Sequence, residues 1–302
     1  MFNIKEELEA HGKLVIVKDT SNPDLGLRVL KYRSTVFYND AWDDFLRECR
    51  GLVIDKDYNL VSYPFTKIHN FRRESGAPEW ENDKEVSVVR KVNGFMVACS
   101  TYNGELVVST TGSIDSEFVN LARKHITPKL ENFINNVINA KLGDIPNITV
   151  MFECVDESDP HIIQEEPGLY FLGMRNNVFG SHIQFNPNHA YWNNLGVHTL
   201  PVEYKTIGEV EADMKTCQHE GFVMYDTDEN GVQTATKWKS PHYLIKKLFM
   251  RGNIDKRFTK DIKQTIDEEY YGLVDEIELH REKFTALSEM ERRAWIEEFL
   301  SK

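Results

Sequence analysis

Five charged residues interrupt or border short apolar segments in the middle of this 302-residue chain: Lys91, Glu153, Glu220, Lys237 and Lys239. Carboxylates hold Mg²⁺ directly or through water, and lysine amines neutralise phosphate oxygens as charge develops on them. Two acids and three lysines carried by strands are therefore the groups that phosphoryl or nucleotidyl transfer needs. Taken alone, each acid is explained more simply as a charge at a strand end that faces solvent.

Lys91 begins a Lys-x-x-Gly pattern that ends at Gly94. Four-residue patterns with two fixed positions recur by chance, and the simplest explanation is an exposed lysine before a turn. The context is more specific, because the lysine closes one apolar segment (85–90) and the turn leads straight into another (95–99). This arrangement places an amine at the mouth of a sheet, where burial and nearby cations can activate a lysine as a nucleophile. The context therefore makes Lys91 a candidate nucleophile, a role that this motif alone does not justify.

Short β-branched segments predict the strands that position these side chains. The predicted strands cover residues 14–18, 52–54, 85–90, 95–99, 148–154, 169–174, 221–225 and 234–238. Asn103-Gly104 predicts a hairpin turn, and apolar spacing predicts a helix over 116–140 that Pro128 interrupts. From about Tyr243 the pattern is helical. The sum is an α+β domain of antiparallel strands at residues 1–247, followed by a small α-helical domain at 248–302.

The composition excludes several classes of protein. Apolar residues make up 41% of the chain, yet no apolar run approaches the roughly 20 residues that cross a bilayer. The acidic N-terminus does not read as a signal peptide. The four cysteines lie far apart and form no Cys-x-x-Cys pair, so neither a zinc site nor a disulfide framework is indicated. We expect no membrane partner, a reducing cytoplasmic location and a monomer.

The charge is uneven along the chain. The formal net charge of −12 argues against non-specific coating of nucleic acid,. Residues 237–263 nevertheless hold nine basic residues and two acids, whereas residues 264–302 hold eleven acids and five bases. A basic stripe inside an acidic protein can hold a phosphate backbone locally. A solvated helix face explains such a stripe equally well.

The order of the motifs resembles that of a known superfamily. Lys-x-x-Gly at Lys91 comes first, then a strand with Glu153, then Glu-Gly-Phe-Val at Glu220, then Lys-x-Lys at Lys237. This order resembles the covalent nucleotidyltransferases, which include DNA ligases, RNA ligases and mRNA capping enzymes. Three further segments resemble the T4 RNA ligase 1 family more closely: Glu48–Gly51, Phe65–Phe71 and Thr111–Ile114. The resemblance covers about residues 30–245.

The resemblance implies a fold and an activity. The fold would be an antiparallel-sheet nucleotidyltransferase (ATP-grasp-like ligase) domain, and the activity that of an ATP-dependent RNA ligase. ATP and Mg²⁺ (or Mn²⁺) would be required, and RNA with 5′-phosphate and 3′-hydroxyl ends would be the partner. Family likeness also suggests a viral source, and then a host cytoplasm as the location.

The resemblance also implies roles for single residues. Lys91 would attack the α-phosphate of ATP and carry AMP. Glu153 and Glu220 would act on the ribose and the metal shell. The other implied nucleotide-binding residues are Tyr32, Arg50, Lys67, Phe171, Arg175, Lys237 and Lys239, with Phe171 stacking on adenine,.

Three departures from the family pattern stand out. The family usually has Asp or His before the motif glycine and Ser or Thr after it, where this chain has Asn93 and Phe95. Thr111 stands where the T4 enzyme is expected to have a lysine, so one phosphate contact would be missing or supplied elsewhere. The segment after the last motif holds only about 55 residues, shorter than the helical domain linked to tRNA specificity in the T4 enzyme. We therefore do not predict tRNA repair.

Three alternatives remain. A DNA ligase or capping guanylyltransferase would follow the Lys-x-Lys strand with an OB-fold barrel, and the helical tail argues against one. A non-catalytic nucleic-acid-binding module of the same fold would be expected to have lost Lys91. A small-molecule adenylating enzyme would not need the basic stripe.

Overall fold

The structure is a computed structural model that describes residues 3–21, 25–138, 147–159, 161–184, 189–229, 231–251, 262–266 and 268–300. Three β-sheets carry most of the described chain, and helices cover them. All strand pairs except one are antiparallel among these residues. The predicted α+β class with antiparallel sheets is therefore confirmed.

The first sheet has four antiparallel strands in the order β1-β2-β3-β4. Helix α1 begins after Asn3, whose side chain accepts hydrogen bonds from the backbone N–H groups of Lys5 and Glu6,. Leu30 and Leu52 pack in the core between this sheet and its helices. The elements are α1 (Ile4–His11), β1 (Val15–Asp19), β2 (Arg28–Tyr32), α2 (Ser34–Tyr38), α3 (Asp44–Glu48), β3 (Arg50–Ile54) and β4 (Leu60–Ser62).

The second sheet has five strands in the order β11-β10-β9-β7-β8. The predicted hairpin is present, and Asn103 and Gly104 have positive φ angles of 53° and 84° that suit its tight turn,. Phe152 and Trp192 belong to the core between this sheet and its helices. The elements are β7 (Phe95–Tyr102), β8 (Glu105–Thr110), α4 (Glu117–Lys124), α5 (Pro128–Asn132), a π-helix (Phe133–Ile138), β9 (Ile148–Val155), β10 (Gly168–Asn176), β11 (Ile183–Gln184) and α6 (His189–Asn194).

The third sheet has the order β12-β6-β13-β14-β5, with β14 and β5 parallel. Helix α7 begins with a capping box in which Thr206 and Glu209 each bond the other's backbone N–H,. Val86, Val88 and Met224 pack beneath this helix. The elements are β5 (His69–Asn70), β6 (Glu85–Arg90), β12 (Val202–Thr206), α7 (Ile207–Met214), β13 (Gly221–Thr227) and β14 (Gln233–Lys239).

Helices make up the described C-terminal part. Phe249 and Phe284 are fully buried in its core, which also takes in Ile162 and Ile163 from the loop between β9 and β10. Helix α8 crosses the predicted domain boundary between residues 247 and 248. The division into two domains stays a prediction. The elements are α8 (Pro241–Met250), two 3₁₀ turns (Ile262–Thr265 and Glu268–Tyr270) and three helices (Tyr271–Leu279, Arg281–Ala286 and Glu289–Leu300).

The predicted helix over 116–140 is divided as expected. Helix α4 ends at Lys124, and Pro128 starts α5 at a position where its missing N–H costs nothing,. Residues 139 and 140 lie outside the described residues. Among the described helices, we find none with the length and apolarity that a membrane crossing requires.

Candidate active site

Lys91 lies where the second and third sheets meet, because it follows β6 of one sheet and precedes β7 of the other. Its backbone N–H donates to the carbonyl of Gly221, 2.8 Å away, which continues the β6–β13 pairing into the turn. A cleft of about 460 Å³ opens between the sheets at this point. Of the predicted site residues, Arg50, Lys91, Glu153, Phe171, Glu220, Lys237 and Lys239 line it.

Glu220 joins the two lysines at the centre of the cleft. Its Oε2 lies 3.3 Å from the Nζ of Lys91, and its Oε1 lies 2.9 Å from the Nζ of Lys239. Burial raises the pKa of Glu220, but Lys91 and Lys239 beside it hold the pKa below its ordinary value,. Glu220 is therefore an ionised carboxylate that holds two amines towards the same space.

Glu153 lies on the opposite wall, within β9. Its Oε1 accepts a hydrogen bond of 3.1 Å from the backbone N–H of Gly94. Burial raises the pKa of Glu153, and Lys91 opposes this rise whereas Glu220 adds to it,. The two acids thus differ in environment: Glu220 is paired with lysines, and Glu153 supports the turn that follows Lys91.

Lys237 carries the largest change in acidity among the described lysines. Burial, together with the positive charges of Arg50, Lys67 and Lys239, lowers its pKa to about 6,. Arg50, Lys237 and Lys239 line one space with Lys67 beside it, and a bound anion would stabilise positive charge on all four side chains,. The cleft is therefore built to bind a polyanion.

Binding of pyrophosphate to the free protein at pH 7.5 is expected to take up a proton. Lys237 is mostly neutral above its pKa of about 6, and a bound polyanion raises that pKa, so a proton must enter with the ligand. Calorimetric titration in two buffers of different ionisation enthalpy measures this uptake. Pyrophosphate also exchanges protons near this pH, so the comparison is between proteins: the variant Lys237→Met should take up fewer protons on binding than the unmodified protein. Equal proton uptake by the two proteins would contradict the assignment.

Lys67 lies beside the cleft and does not line it. Its Nζ donates to the Oε2 of Glu74 at 2.8 Å, and the Nδ1 of His69 lies 3.1 Å from the same oxygen. Burial lowers the pKa of Lys67, the hydrogen bond to Glu74 opposes this, and Arg50 and Lys239 are near enough to lower it again. Lys67 therefore belongs to the same positive field, with Glu74 as a counterion that the sequence analysis missed.

Tyr32 and Arg175, two of the predicted nucleotide-binding residues, lie outside the cleft lining. Arg175 is buried and donates to Glu48 at 3.0 and 3.2 Å and to the carbonyl of Pro64 at 2.7 Å. Tyr32 packs edge-on against Trp42, with ring centroids 4.8 Å apart. Arg175 links β10 to helix α3, and Tyr32 belongs to the core of the first sheet. Their predicted contacts with the nucleotide stay predictions.

Aromatic side chains line part of the cleft. Phe171 stacks on Trp192 with ring centroids 4.2 Å apart, so one of its faces is already covered. Phe95 meets Phe118 edge-on at 5.0 Å, and 44% of Phe118 is exposed. Both line the cleft, as does Thr111. All three substituted family positions, Asn93, Phe95 and Thr111, therefore line the cleft.

The carboxylates of the cleft suit a metal ion that also takes ligands from a bound molecule, rather than an ion that the protein coordinates alone. Glu220 is engaged with two lysines, and Glu153 with a backbone N–H. The described residues contain no group of three or more His, Cys, Asp or Glu side chains that could hold a metal ion. Mg²⁺ commonly uses one or two carboxylates, water and substrate phosphates. This donor set fits a Mg²⁺ ion that is held partly by a bound nucleotide.

The described basic residues of segment 237–263 do not form one face. Lys237, Lys239 and Arg251 line the cleft, whereas Lys246 is 3% exposed and pairs with Glu297. Lys256, Arg257 and Lys260 lie outside the described residues. The described part of the stripe is therefore divided between the site and the helical core.

The fold matches solved structures of ATP-dependent ligases. An archaeal ATP-dependent RNA ligase superposes with a TM-score of 0.55 at 16% identity, covering 95% of this chain and 77% of the other. A proposed ATP-dependent DNA ligase from Aquifex aeolicus also gives a TM-score of 0.55 at 16% identity, covering 87% and 68%. The chain therefore has the nucleotidyltransferase-type fold of ATP-dependent ligases, with a small helical C-terminal part.

The sequence comparisons give the family. A model described as RNA ligase, of the T4 RNA ligase 1 type, matches residues 48–249, and the chain belongs to this RNA ligase family. A proposed bifunctional polynucleotide kinase/RNA ligase of Autographa californica nuclear polyhedrosis virus is 29% identical over 255 residues, or 76% of this chain. The aligned region spans about a third (34%) of that relative's length. The resemblance predicted from the motif order is thus confirmed.

Proposed function

We propose that this chain is an ATP-dependent RNA ligase that joins 5′-phosphate and 3′-hydroxyl ends through a lysyl-AMP intermediate on Lys91. The observation that carries the proposal is the pairing of Lys91 with Glu220 in a cleft that Arg50, Lys237 and Lys239 also line. A positive field stabilises the charge that develops on phosphate oxygens during an in-line displacement. Membership of the RNA ligase family supports RNA as the acceptor.

Lys91 acts in the first two steps. Its deprotonated Nζ attacks the α-phosphorus of ATP, an N–P bond forms, and the bond to the β-phosphate oxygen breaks. Pyrophosphate leaves, and the nitrogen gives up one proton to solvent. A 5′-phosphate oxygen of RNA then attacks the same phosphorus, the N–P bond breaks, and Lys91 takes up a proton. The products are the unmodified Lys91 side chain and an RNA end that carries AMP through a 5′–5′ pyrophosphate.

The third step forms the new RNA linkage. A 3′-hydroxyl attacks the 5′-phosphate phosphorus, loses its proton, and expels AMP. Arg50, Lys237 and Lys239 hold the phosphates during these displacements, and Lys67 adds to their field. Glu153 and Glu220 would share Mg²⁺ (or Mn²⁺) with the nucleotide, and the ion would supply charge neutralisation on the phosphates.

The aromatic residues of the cleft would contact the bases of the substrates. Phe171 would contact the adenine with the face that Trp192 leaves uncovered. The exposed edge of Phe118 beside Phe95 offers a surface on which an unpaired RNA base can stack,. We keep the predicted division into an adenylyltransferase domain (1–247) and a helical domain (248–302), and the predicted monomeric state and cytoplasmic location.

Separate incubations with α-labelled ATP and GTP in the presence of Mg²⁺ test the proposal. We expect denaturation-resistant label on the protein with ATP and little with GTP. Subsequent addition of 5′-phosphorylated single-stranded RNA should move the label to the RNA and then yield sealed product. Label from GTP would favour a capping enzyme, sealing of nicked DNA would favour a DNA ligase, and no label from either nucleotide would refute the proposal.

A further inference from the structure

Asn93 departs from the family pattern, and both the nitrogen and the oxygen of its side-chain amide make hydrogen bonds. Its Nδ2 donates to the Oε2 of Glu220 at 2.8 Å, and its Oδ1 accepts from the backbone N–H of Ile163 at 2.9 Å. The side chain is 8% exposed. The oxygen of Glu220 that Asn93 contacts is the one that lies 3.3 Å from the Nζ of Lys91. Asn93 therefore fixes the position of the atom that holds the nucleophile.

The segment that contains Ile163, residues 161–165, also contacts Arg90, the residue just before Lys91. The carboxylate of Glu165 accepts two hydrogen bonds from Nη1 of Arg90, at 3.0 and 2.8 Å. The backbone N–H of Asn93 donates to the same carboxylate at 3.3 Å. Segment 161–165 thus contacts the chain on both sides of Lys91.

The C-terminal helices hold this segment in place. Ile162 is 1% exposed and Ile163 is 7% exposed, and both are part of the helical core that includes Phe249 and Phe284. Arg293 of the last helix donates from Nη1 to the carbonyl of His161 at 2.8 Å. A continuous set of contacts therefore runs from the C-terminal helices through segment 161–165 and Asn93 to Glu220.

We propose that Asn93 is a positioning residue through which the C-terminal helices set the geometry of Glu220 and Lys91 for the first chemical step. This inference rests on the proposed function. In this chain the side chain at position 93 donates to Glu220 and accepts from Ile163, which an asparagine amide can do at once,. An aspartate would still accept from Ile163, but it would place a second carboxylate against Glu220 and repel it.

Three variants test this role: Asn93→Ala, Asn93→Asp and the control Asn120→Ala, an exposed position outside the cleft lining. We expect both Asn93 variants to slow lysine adenylylation in a single turnover by about tenfold to a hundredfold, the usual effect of removing a hydrogen bond to a charged group. The control should stay within about twofold of the unmodified protein. Equal rates for Asn93→Ala and the control would overturn the proposal.

A spectroscopic measurement separates positioning from general damage. In protein labelled with ¹⁵N-isoleucine, the amide of Ile163 should exchange slowly in the unmodified protein and in Asn93→Asp, and rapidly in Asn93→Ala. Asn93→Asp would then be slow in catalysis with its link to Ile163 intact. Rapid exchange in the unmodified protein would refute the link. Slow exchange in a protein that forms no adduct with ATP would instead refute the proposed function.

Arg293→Ala tests the contribution of the C-terminal helices. We expect this variant to slow adenylylation severalfold in the unmodified background. In the Asn93→Ala background its effect should be clearly smaller, because the side-chain connection to Glu220 is already broken and only the contacts of Glu165 remain,. Independent, multiplying effects of the two substitutions would show that the helices do not act through Asn93, and the proposal would fail.

Discussion

Replacing Lys91 with alanine or arginine is expected to eliminate covalent nucleotide labelling, a loss of about a thousandfold or more. Alanine removes the nucleophile, and arginine replaces it with a guanidinium that stays protonated in proteins. Labelled ATP, denaturing electrophoresis and a quantified band measure the result. Label on Lys91→Ala at the unmodified level would mean that another residue carries the nucleotide.

Two controls accompany this experiment. Lys84 precedes the same strand, β6, and pairs with Asp226 at 2.9 Å outside the cleft lining, so Lys84→Ala should label normally. The Lys91 variants should still join RNA that already carries AMP at its 5′ end, because the third step does not use the lysine as a nucleophile. Failure of both labelling and this joining would indicate that the variant disturbs the whole site.

Substitution of Gly94 by alanine is expected to destabilise the protein by about 3 kcal/mol or more and to stop adenylylation. A Cβ at this position would lie 2.2 Å from the carbonyl oxygen of Cys154 and 2.9 Å from its carbonyl carbon. These are backbone atoms of the central strand β9, so they cannot move aside as a side-chain end can. Any shift of the turn would also pull the Gly94 N–H away from Glu153. Urea unfolding measures the stability of the variant.

Gly272→Ala is the matched control. A Cβ there meets only the ring of Phe299 at 3.4 Å, an ordinary contact, within the helix Tyr271–Leu279. Alanine is favoured over glycine in helices by up to about 1 kcal/mol, so this variant should be as stable as the unmodified protein or more stable. A Gly94→Ala protein with an unchanged unfolding midpoint would show that the turn tolerates a side chain.

The sequence predicted the strands and charges of the site because these depend on local pattern. Strands from two sheets meet at the cleft, and five charged residues border or interrupt these apolar strands: Lys91, Glu153, Glu220, Lys237 and Lys239. The order of the motifs along the chain was enough to indicate the family. Glu74 had a local signal as well, since it follows Lys67 by only seven residues.

Other features depend on contacts that no local pattern indicates. Asn93 reads as a departure from the motif, and its partners lie 70 and 127 residues away along the chain. Arg175 ends a strand in a position typical of a ligand contact, but Glu48, also 127 residues away, holds it in a buried ion pair. Such pairings follow from how the sheets pack, which the spacing of residues along one strand does not specify.

The burial of Ile162 and Ile163 among the C-terminal helices has a consequence for synthesis on the ribosome. The helix Glu289–Leu300 that completes their cover is translated about 130 residues later, which takes roughly 7 to 27 seconds,. During that interval the nascent chain holds two uncovered isoleucines beside an unfinished catalytic turn. The turn at Lys91 therefore acquires its final surroundings late in translation, after the helix Glu289–Leu300 has been made.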